Sequence, residues 1–586
     1  MKLSDYVIDH LLRSGSSHVF GMSGGAAVHL FDSASKKDGM GITFVAHEQS
    51  AAMAADGYSR LSGNLGTSIV TSGPGATNLL TGVCCSFYDS VPTLVLTGQV
   101  ATHRLKGDRK VRQVGFQETD VLSIYGSVTK FAAQILDPLR IGAVLEEAYH
   151  VARSDRPGPV LIDIPDDLQR ADIDPGRLAS FHPSPVPPPG GLANDVRAIL
   201  NLVAKAQRPA VIIGGGFSTP RHAADLRDFL EGLHIPVLQT WAGTDLVPFG
   251  WNGRVGPFGV YGPRLGNVVV QKSDLLLCLG TRLSQNLTGG LLNTFAKGAS
   301  IVMVDVDQAE MDKFDGRGIE VALRVHARMG DFLEAAMDCL KDYRPPEIRD
   351  WQQSIESWKA SLPADIPARP GDAANYIDAI HFVQEISDHF SADEAIFVDT
   401  GGNLTWTCNH LKVKKGQRVL SAWNFTPMGY ALPAAIGGAS VDSTRPISCI
   451  IGDGGLVLCL GELATVLRYN LPIKIFLFNN HCHGIQKQTL ETWLGANYVG
   501  VDPASGLGFP DFEKVAAAMG FPVVTIRHTS EVRDRLREVF NIRGPVFCNV
   551  EINPEQKLFP VLKYGHSLED QMPLIERDRL QQLLSM

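Results

Sequence analysis

Two short stretches carry side chains that could do chemistry. In the C-terminal third, the apolar run Ile447 to Ile451 ends in Gly452-Asp453-Gly454-Gly455, and a second run from Ile473 to Phe478 ends in Asn479-Asn480-His481-Cys482. A carboxylate and an amide oxygen at the ends of two such runs, with a main-chain carbonyl nearby, are hard oxygen ligands suited to Mg²⁺. The glycines would let backbone N–H groups approach a phosphate closely. In the N-terminal third, Thr43 to Ala46 leads into His47-Glu48-Gln49. Ala51 stands where a zinc-binding H-E-x-x-H would need its second histidine, so that reading fails. Each stretch alone has an ordinary explanation. Gly-Asp-Gly and Asn-Asn are common turn sequences, and an acid in a first helical turn simply suits the helix dipole.

The elements that must position these residues are legible as alternating patterns. Short apolar runs such as GITFVAH, GTSIVTS and PTLVLTG in the first part, RPAVIIGGG, IPVLQT, DLLLCLG and SIVMVDV in the second, and AIFVDT, PISCIIGD, PIKIFLFNN and GPVFCNVEI in the third are separated by helical patterns. Continuous apolar strands between amphipathic helices predict parallel sheets covered on both faces, an α/β, doubly wound class in which ligands bind beyond the carboxyl ends of the strands. Proline-rich stretches, Pro183 to Gly191 and Arg344-Pro345-Pro346 through Pro363, Pro367 and Pro370-Gly371, divide the chain into blocks 1–180, 192–343 and 372–550, with a tail 551–586.

Asp453 and Asn480 taken together are informative where each alone is not. Gly452-Asp453-Gly454 followed after twenty-four residues by Asn479-Asn480 resembles the signature of thiamine-diphosphate (ThDP) enzymes. The resemblance implies that Asp453, Asn480 and the main chain of Cys482 hold Mg²⁺ on the cofactor diphosphate, flanked by Gly452, Gly454 and Gly455. It also gives Glu48 a role: in such enzymes a glutamate in this context bonds the pyrimidine ring and drives the tautomer change that activates the thiazolium, which needs a carboxyl group in a dry site. Further stretches resemble the acetohydroxyacid synthase branch, in chain order. They are Phe20-Gly21-Met22-Ser23-Gly24-Gly25-Ala26, Thr71-Ser72-Gly73-Pro74-Gly75-Ala76-Thr77-Asn78, Asp89-Ser90-Val91-Pro92, Thr97-Gly98-Gln99, Phe116-Gln117-Glu118-Thr119-Asp120, Arg156-Pro157-Gly158, Met428-Gly429-Tyr430-Ala431 and Glu462-Leu463-Ala464-Thr465. By that resemblance Gly24 and Gly25 border the reacting carbon, Phe116 and Gln117 line the substrate pocket, Met428 bends the cofactor and Ile485 packs on its pyrimidine. The blocks become pyrimidine-binding, middle and diphosphate-binding domains.

The same branch holds FAD in its middle domain. The matching positions are Arg156, Gly214-Gly215-Gly216, Thr240-Trp241, Phe258-Gly259, Gly280, Arg282 and Asp305-Val306. A glycine turn after a strand cradles a diphosphate and an acid ending a later strand suits a ribose hydroxyl. The chain departs from the branch at Ser284-Gln285-Asn286, where Asp-Asp-Arg is usual, at Arg328, where an aspartate is common, and at Thr489, where makers of branched-chain precursors carry the tryptophan that selects the acceptor. The smaller side chain predicts a wider acceptor pocket with a hydroxyl on its wall. The tail, Pro560 to Gly565 and Leu568 to Gln571, is similar to that of flavoenzymes that branch deoxysugars, of the yersiniose-forming type.

The expectation is a carboligase that decarboxylates pyruvate and transfers the two-carbon unit to a carbonyl acceptor: a ketone, a keto-sugar nucleotide or a second 2-keto acid, the last being acetolactate synthesis. An aldehyde-releasing decarboxylase, a flavin oxidase and a catalytically silent nucleotide-binding protein are the rivals. Since Glu48 and Asp453 lie in different domains, the resemblance implies a homodimer or homotetramer with sites between subunits. With 53 Lys and Arg against 62 Asp and Glu, the net charge of -9 gives no reason to expect nucleic acid or an anionic membrane as partner. Anionic substrates must be met by local donors. Nine cysteines without a C-x-x-C, no run of about 20 apolar residues and no signal-peptide layout point to a reducing, cytoplasmic location.

Overall fold

The computed structural model describes every residue except 185–189, 218–221, 363–375, 564 and 586. The core of both proline-rich divisions, the expected start of the third block at 372 and one residue of the tail motif lie outside the described residues. The rest forms three six-stranded sheets, parallel throughout, and one small antiparallel pair. From edge to edge the first sheet runs Gly41–Phe44, His18–Gly21, Gly66–Val70, Thr93–Gln99, Val160–Pro165, Phe131–Gln134. The third repeats that topology with Arg418–Leu420, Ala395–Val398, Ile447–Gly452, Ile473–Asn479, Val546–Glu551 and Val523–Ile526. The middle sheet runs Val321–His326, Ser300–Asp305, Leu275–Leu279, Pro209–Ile213, Val237–Gln239, Arg254–Pro257, and its order reverses between Leu275–Leu279 and Pro209–Ile213.

Central strands are buried along their whole length, as in Gly66–Val70, Thr93–Gln99, Pro209–Ile213 and Leu275–Leu279. That is why they read as unbroken apolar runs. The stretch after Pro346, expected only to break the chain, carries a helix, Arg349–Ser361, whose Trp351, Ile355 and Trp358 pack into the middle core. Their spacing of four and three residues puts them on one face, which tethers the segment to the second sheet. The tail is also no appendage. Leu562 and Leu568 belong to the middle core, and Leu562 N–H donates to Val260 O at 2.8 Å.

The first and third domains are locked through two helices, α1 (Glu48–Ser62) and α2 (Ala431–Ala439). Every residue of α2 is buried. A Cβ on Gly57 would lie 2.1 Å from Ala434 O, and one on Gly437 would lie 1.8 Å from Ala54 O, so the two backbones touch where only glycine fits. Beside this contact Asp56 accepts from Tyr430 Oη at 2.5 Å, Arg60 Nε at 2.5 Å and Ser86 Oγ at 2.8 Å, while Arg60 also donates to Asp89 at 2.7 Å. These side chains are buried, and the network satisfies polar groups that would otherwise cost stability. Among the described residues no helix is long and apolar enough to cross a membrane. Gly437→Ala is expected to cost about 1–3 kcal/mol by overpacking, read as a lower urea midpoint. An unchanged midpoint would show that the helices do not touch there.

Candidate active site

Asp453 and Asn480 end adjacent strands, with Gly452 in register with Phe478. Asp453 is buried, and its two carboxylate oxygens accept from Gly454 N–H at 2.7 Å and Asn480 N–H at 3.1 Å. The Asn480 amide oxygen points at Cys482 O, 2.9 Å away, and at Asp453 Oδ2, 3.2 Å away. A carboxylate, a side-chain amide and a main-chain carbonyl thus converge on one point. Either the amide turns its nitrogen inward or a cation fills the centre; a carboxylate, an amide and a carbonyl are the donor set a hard divalent cation takes. No cluster of three or more His, Cys, Asp or Glu exists among the described residues, and this site needs none because two of its oxygens are not acidic. Burial pushes the Asp453 carboxyl up to about 7, against the opposing N–H bonds and the nearby His481. His481 is itself raised by its bond to Glu551 at 2.8 Å.

The glycines around Asp453 are sterically required. A Cβ on Gly454 would fall 2.5 Å from His483 Nε2 and 2.8 Å from Met428 Cε, and one on Gly455 would fall 2.0 Å from Asp399 Oδ2. Met428 is thereby set against the Asp453 loop. What holds it there is Asp399, which the sequence reading did not single out. This fully buried carboxylate accepts from Gly429, Tyr430 and Ala431 N–H at 3.0, 2.8 and 3.1 Å, and burial raises it to about 6. The signal was present: Asp399 directly follows the strand Ala395–Val398, so the strand-end rule that found Asp453 also covers it.

Glu48 opens α1 immediately after His47, whose Nδ1 accepts from Gln49 N–H at 3.1 Å and caps the helix. The Glu48 carboxyl is 9% exposed, and its Oε2 accepts from Asn78 Nδ2 at 2.9 Å. Its Oε1 faces the space a Gly75 side chain would occupy, 3.6 Å from that missing Cβ. Thr71 lies beneath this space. A Cβ on Gly24 would strike it at 2.6 Å, and its Oγ1 accepts from Ala26 N–H at 3.1 Å. Among the described residues nothing approaches within 4 Å of a Gly25 Cβ. Gln117 adopts φ +63°, strained for a residue with a side chain, and its Cβ lies 3.0 Å from the Gly73 Cβ position, whereas Phe116 is 85% exposed. Glu462 supplies the tie between domains: its carboxylate accepts Ala46 N–H at 3.1 Å and His47 N–H at 3.2 Å. The sequence held Glu462 as part of a motif without a role.

A cavity of about 670 Å³ opens beyond the middle sheet where its strand order reverses, walled also by Tyr88 and Arg156 from the first domain and Trp423 from the third. Of the twelve positions expected to face a flavin, ten line it: Arg156, Gly215, Gly216, Thr240, Trp241, Phe258, Gly280, Arg282, Asp305 and Val306. Gly214 and Gly259 do not; a Cβ on either would lie 2.4 Å from a main-chain oxygen, of Gly280 and Asn286 respectively, so both serve packing. Arg156 is held by Asp307 and Glu310, each at 2.8 Å, and Thr240 Oγ1 is buried without a partner among the described residues. Ser284, Gln285, Asn286 and Arg328 are on the wall. A second cavity of about 370 Å³ is lined by Tyr261, Ile485, Thr489, Thr492, Trp493 and tail residues including Leu558. The Thr489 hydroxyl, expected to face an acceptor as a donor, donates instead to Ile485 O at 2.9 Å, because a threonine on a helix finds the carbonyl one turn back.

The buried Asp453 gives a testable pH dependence. In the unfolded chain it ionises near 4, whereas in the fold it stays protonated up to about 7, so its favourable contribution is complete below about pH 4 and is lost as pH climbs to about 7. Without divalent cations, the unfolding free energy of the parent minus that of Asp453→Asn is expected to fall by on the order of 4 kcal/mol between about pH 4 and about pH 8. A difference that stays flat over that range would mean the carboxyl is not held protonated.

Comparison with known proteins agrees with this geometry. Residues 1–124 match the model of the thiamine pyrophosphate enzyme N-terminal TPP binding domain, 196–336 the central domain and 399–550 the C-terminal TPP binding domain. Similar curated relatives include the acetolactate synthase isozyme 2 large subunit of Escherichia coli, 33% identical over 97% of this chain and 98% of its own. The acetolactate synthase 1, chloroplastic, of Nicotiana tabacum is 31% identical over 97% and 84%, and the acetolactate synthase large subunit of Porphyra purpurea 30% over 96% and 93%. Since the likeness runs through all three sheets in order and takes in both strand ends that carry the buried acids, the chain belongs to the ThDP-dependent enzymes of the acetohydroxyacid synthase-like family.

Proposed function

We propose that this chain is a carboligase that decarboxylates pyruvate and joins the remaining two-carbon unit to a carbonyl acceptor. The observation that carries the reading is the pairing of Glu48, with one oxygen bonded and one open, with the three-oxygen cluster at Asp453, on domains fixed to each other by α1 and α2. ThDP supplies the electron sink that loss of CO₂ from a 2-keto acid requires. In the proposed roles, Asp453, Asn480 and the Cys482 carbonyl hold Mg²⁺, flanked by Gly452, Gly454 and Gly455. Met428 and Ile485 support the organic part of the cofactor.

Asn78 fixes Glu48 Oε2, so a proton is accepted and returned at Oε1 alone. Glu462 sets the start of α1 and so the direction of that oxygen. Gly24, Gly25, Phe116 and Gln117 border the reacting carbon. The 85% exposure of Phe116 supports a second copy of the chain completing the site in a homodimer or homotetramer. FAD is proposed for the 670 Å³ cavity, whose glycine turn, arginines and unpartnered Thr240 hydroxyl suit a diphosphate and ring polar atoms. Arg328 on the same wall, where the family commonly has an acid, makes the flavin's hold in this chain a point to measure.

For the acceptor, Thr489 on the wall of the 370 Å³ cavity favours a ketone larger than pyruvate, keto-sugar nucleotides included. The names of the relatives favour the second reading, acetolactate synthesis, with pyruvate itself as acceptor. Incubation with pyruvate, ThDP and Mg²⁺, with and without added ketones, separates them. Coupled product with the ketone supports the first, acetolactate alone the second, and CO₂ with only acetaldehyde removes both. Glu48→Gln is expected to slow CO₂ release by about 100-fold or more with an unchanged circular dichroism spectrum. Unaltered turnover would overturn the role of Glu48. Purified protein is expected to be yellow and to release flavin on denaturation; colourless protein that takes up no FAD would overturn the flavin proposal.

A further inference from the structure

The loop between the strand Thr93–Gln99 and Phe116 reverses the charge of the molecule locally. Between residues 104 and 112 it carries Arg104, Lys106, Arg109, Lys110 and Arg112 against the single acid Asp108, in a chain whose net charge is -9. All but the half-buried Lys106 are exposed. Arg109 bonds only main-chain oxygens within the loop, and Lys106 lies 3.9 Å from Asp120. The side chains of Arg104, Lys110 and Arg112 make no hydrogen bond or ion pair among the described residues. Another basic run, Lys412 to Arg418, shows the contrast. There Lys412 faces Asp388, Lys414 bonds the Phe390 carbonyl at 2.5 Å and Arg418 pairs with Asp245 at 2.8 Å.

The cationic loop is anchored to the candidate active site. Glu118, 8% exposed, gathers both its ends: its carboxylate accepts N–H bonds from Lys106, from Val114 at 2.8 Å and from Gly115 at 3.2 Å. Burial works against ionisation of that carboxyl, yet these bonds outweigh it and hold it below its usual range. Glu118 directly follows Gln117, whose Cβ meets the Gly73 position, and Gly75 two residues on faces Glu48 Oε1. The root of the loop is therefore built into the wall beside Glu48. Arg109, Lys110 and Arg112 span three residue steps, at most about 10 Å, which is close to one screening length in physiological salt. Their fields overlap, and among the described residues no acid forms an ion pair with Lys110 or Arg112.

We propose that this loop binds the phosphate of the acceptor, so that the second substrate is a phosphorylated carbonyl compound whose carbonyl reaches the site beside Glu48. The inference rests on the carboligase reading. Arginine forks and lysine ammonium groups are the donors that phosphate oxygens take, and in an acidic protein only such a local patch can attract a multiply charged anion. Phosphate could be carried as a monoester or as a nucleoside diphosphate, and the two are separated by the probes.

The test compares parent enzyme, saturated with ThDP, Mg²⁺ and FAD, with the double variant Lys110→Ser, Arg112→Ser. Coupling is measured with dihydroxyacetone phosphate and with dihydroxyacetone, and uridine diphosphate binding by equilibrium dialysis. CO₂ release from pyruvate and the KM for dihydroxyacetone are expected to be unchanged. The KM for dihydroxyacetone phosphate, the dissociation constant for uridine diphosphate, or both should rise about tenfold or more in the variant, and rise with salt in the parent. A response to the first probe alone identifies a monoester, and to the second alone a diphosphate. If neither probe distinguishes parent from variant, the proposal is overturned and the loop is a solvated surface. A parent that releases no CO₂ would remove the carboligase reading, while the dialysis would still decide whether the loop takes phosphate.

Discussion

The arrangement depends on a backbone-to-backbone contact. Helices α1 and α2 approach so closely that Gly57 and Gly437 each face a carbonyl oxygen of the other helix. A side chain at either point would separate the domains that carry Glu48 and Asp453. Small-residue packing brings the helices together, and the Asp56, Arg60 and Tyr430 network fixes their register because each buried polar group needs its partner. Glu462 then fastens the residues just before Glu48. The orientation of one carboxyl oxygen is thus inherited from contacts spread over two sheets.

Around this frame the molecule keeps several acids in low-dielectric surroundings. Asp163, Asp399 and Asp453 are all pushed upward by burial, to about 6, 6 and 7. Asp163 and Asp399 are surrounded by donors, the first by Thr97, Gln99 and Gln134 and the second by three main-chain N–H groups. Asp453 accepts main-chain N–H bonds from Gly454 and Asn480, with the Asn480 side-chain amide 3.2 Å from one of its oxygens.

The sequence showed the class of fold and both strand-end motifs because central parallel strands are apolar along their full length and their terminal loops carry the unusual residues. It showed the edges poorly. Phe131–Gln134, Val321–His326 and Val523–Ile526 are only partly buried, so they lack the long unbroken apolar run that marks a central strand. Arg349–Ser361 was hidden between prolines, although Trp351, Ile355 and Trp358 mark one helical face. Asp399 and Glu462 were within reach of strand-end and motif reasoning, but what they bond belongs to distant segments and cannot be read from local pattern. Nor could local pattern indicate that the Thr489 hydroxyl turns back into its own helix.

The course of the last residues has a mechanical consequence. Gln488 grips the main chain of Leu558 from both sides, donating to its oxygen at 3.0 Å and accepting from its N–H at 2.7 Å. Beyond it the chain crosses to the second sheet, where Gln571 bonds Gly262 O and Arg264 takes the carbonyls of Gln571 and Pro573. The central domain is therefore moored fore and aft, by its covalent leads and by this returning strap. Any swing of the central domain must therefore carry this strap with it or break the bonds that hold it.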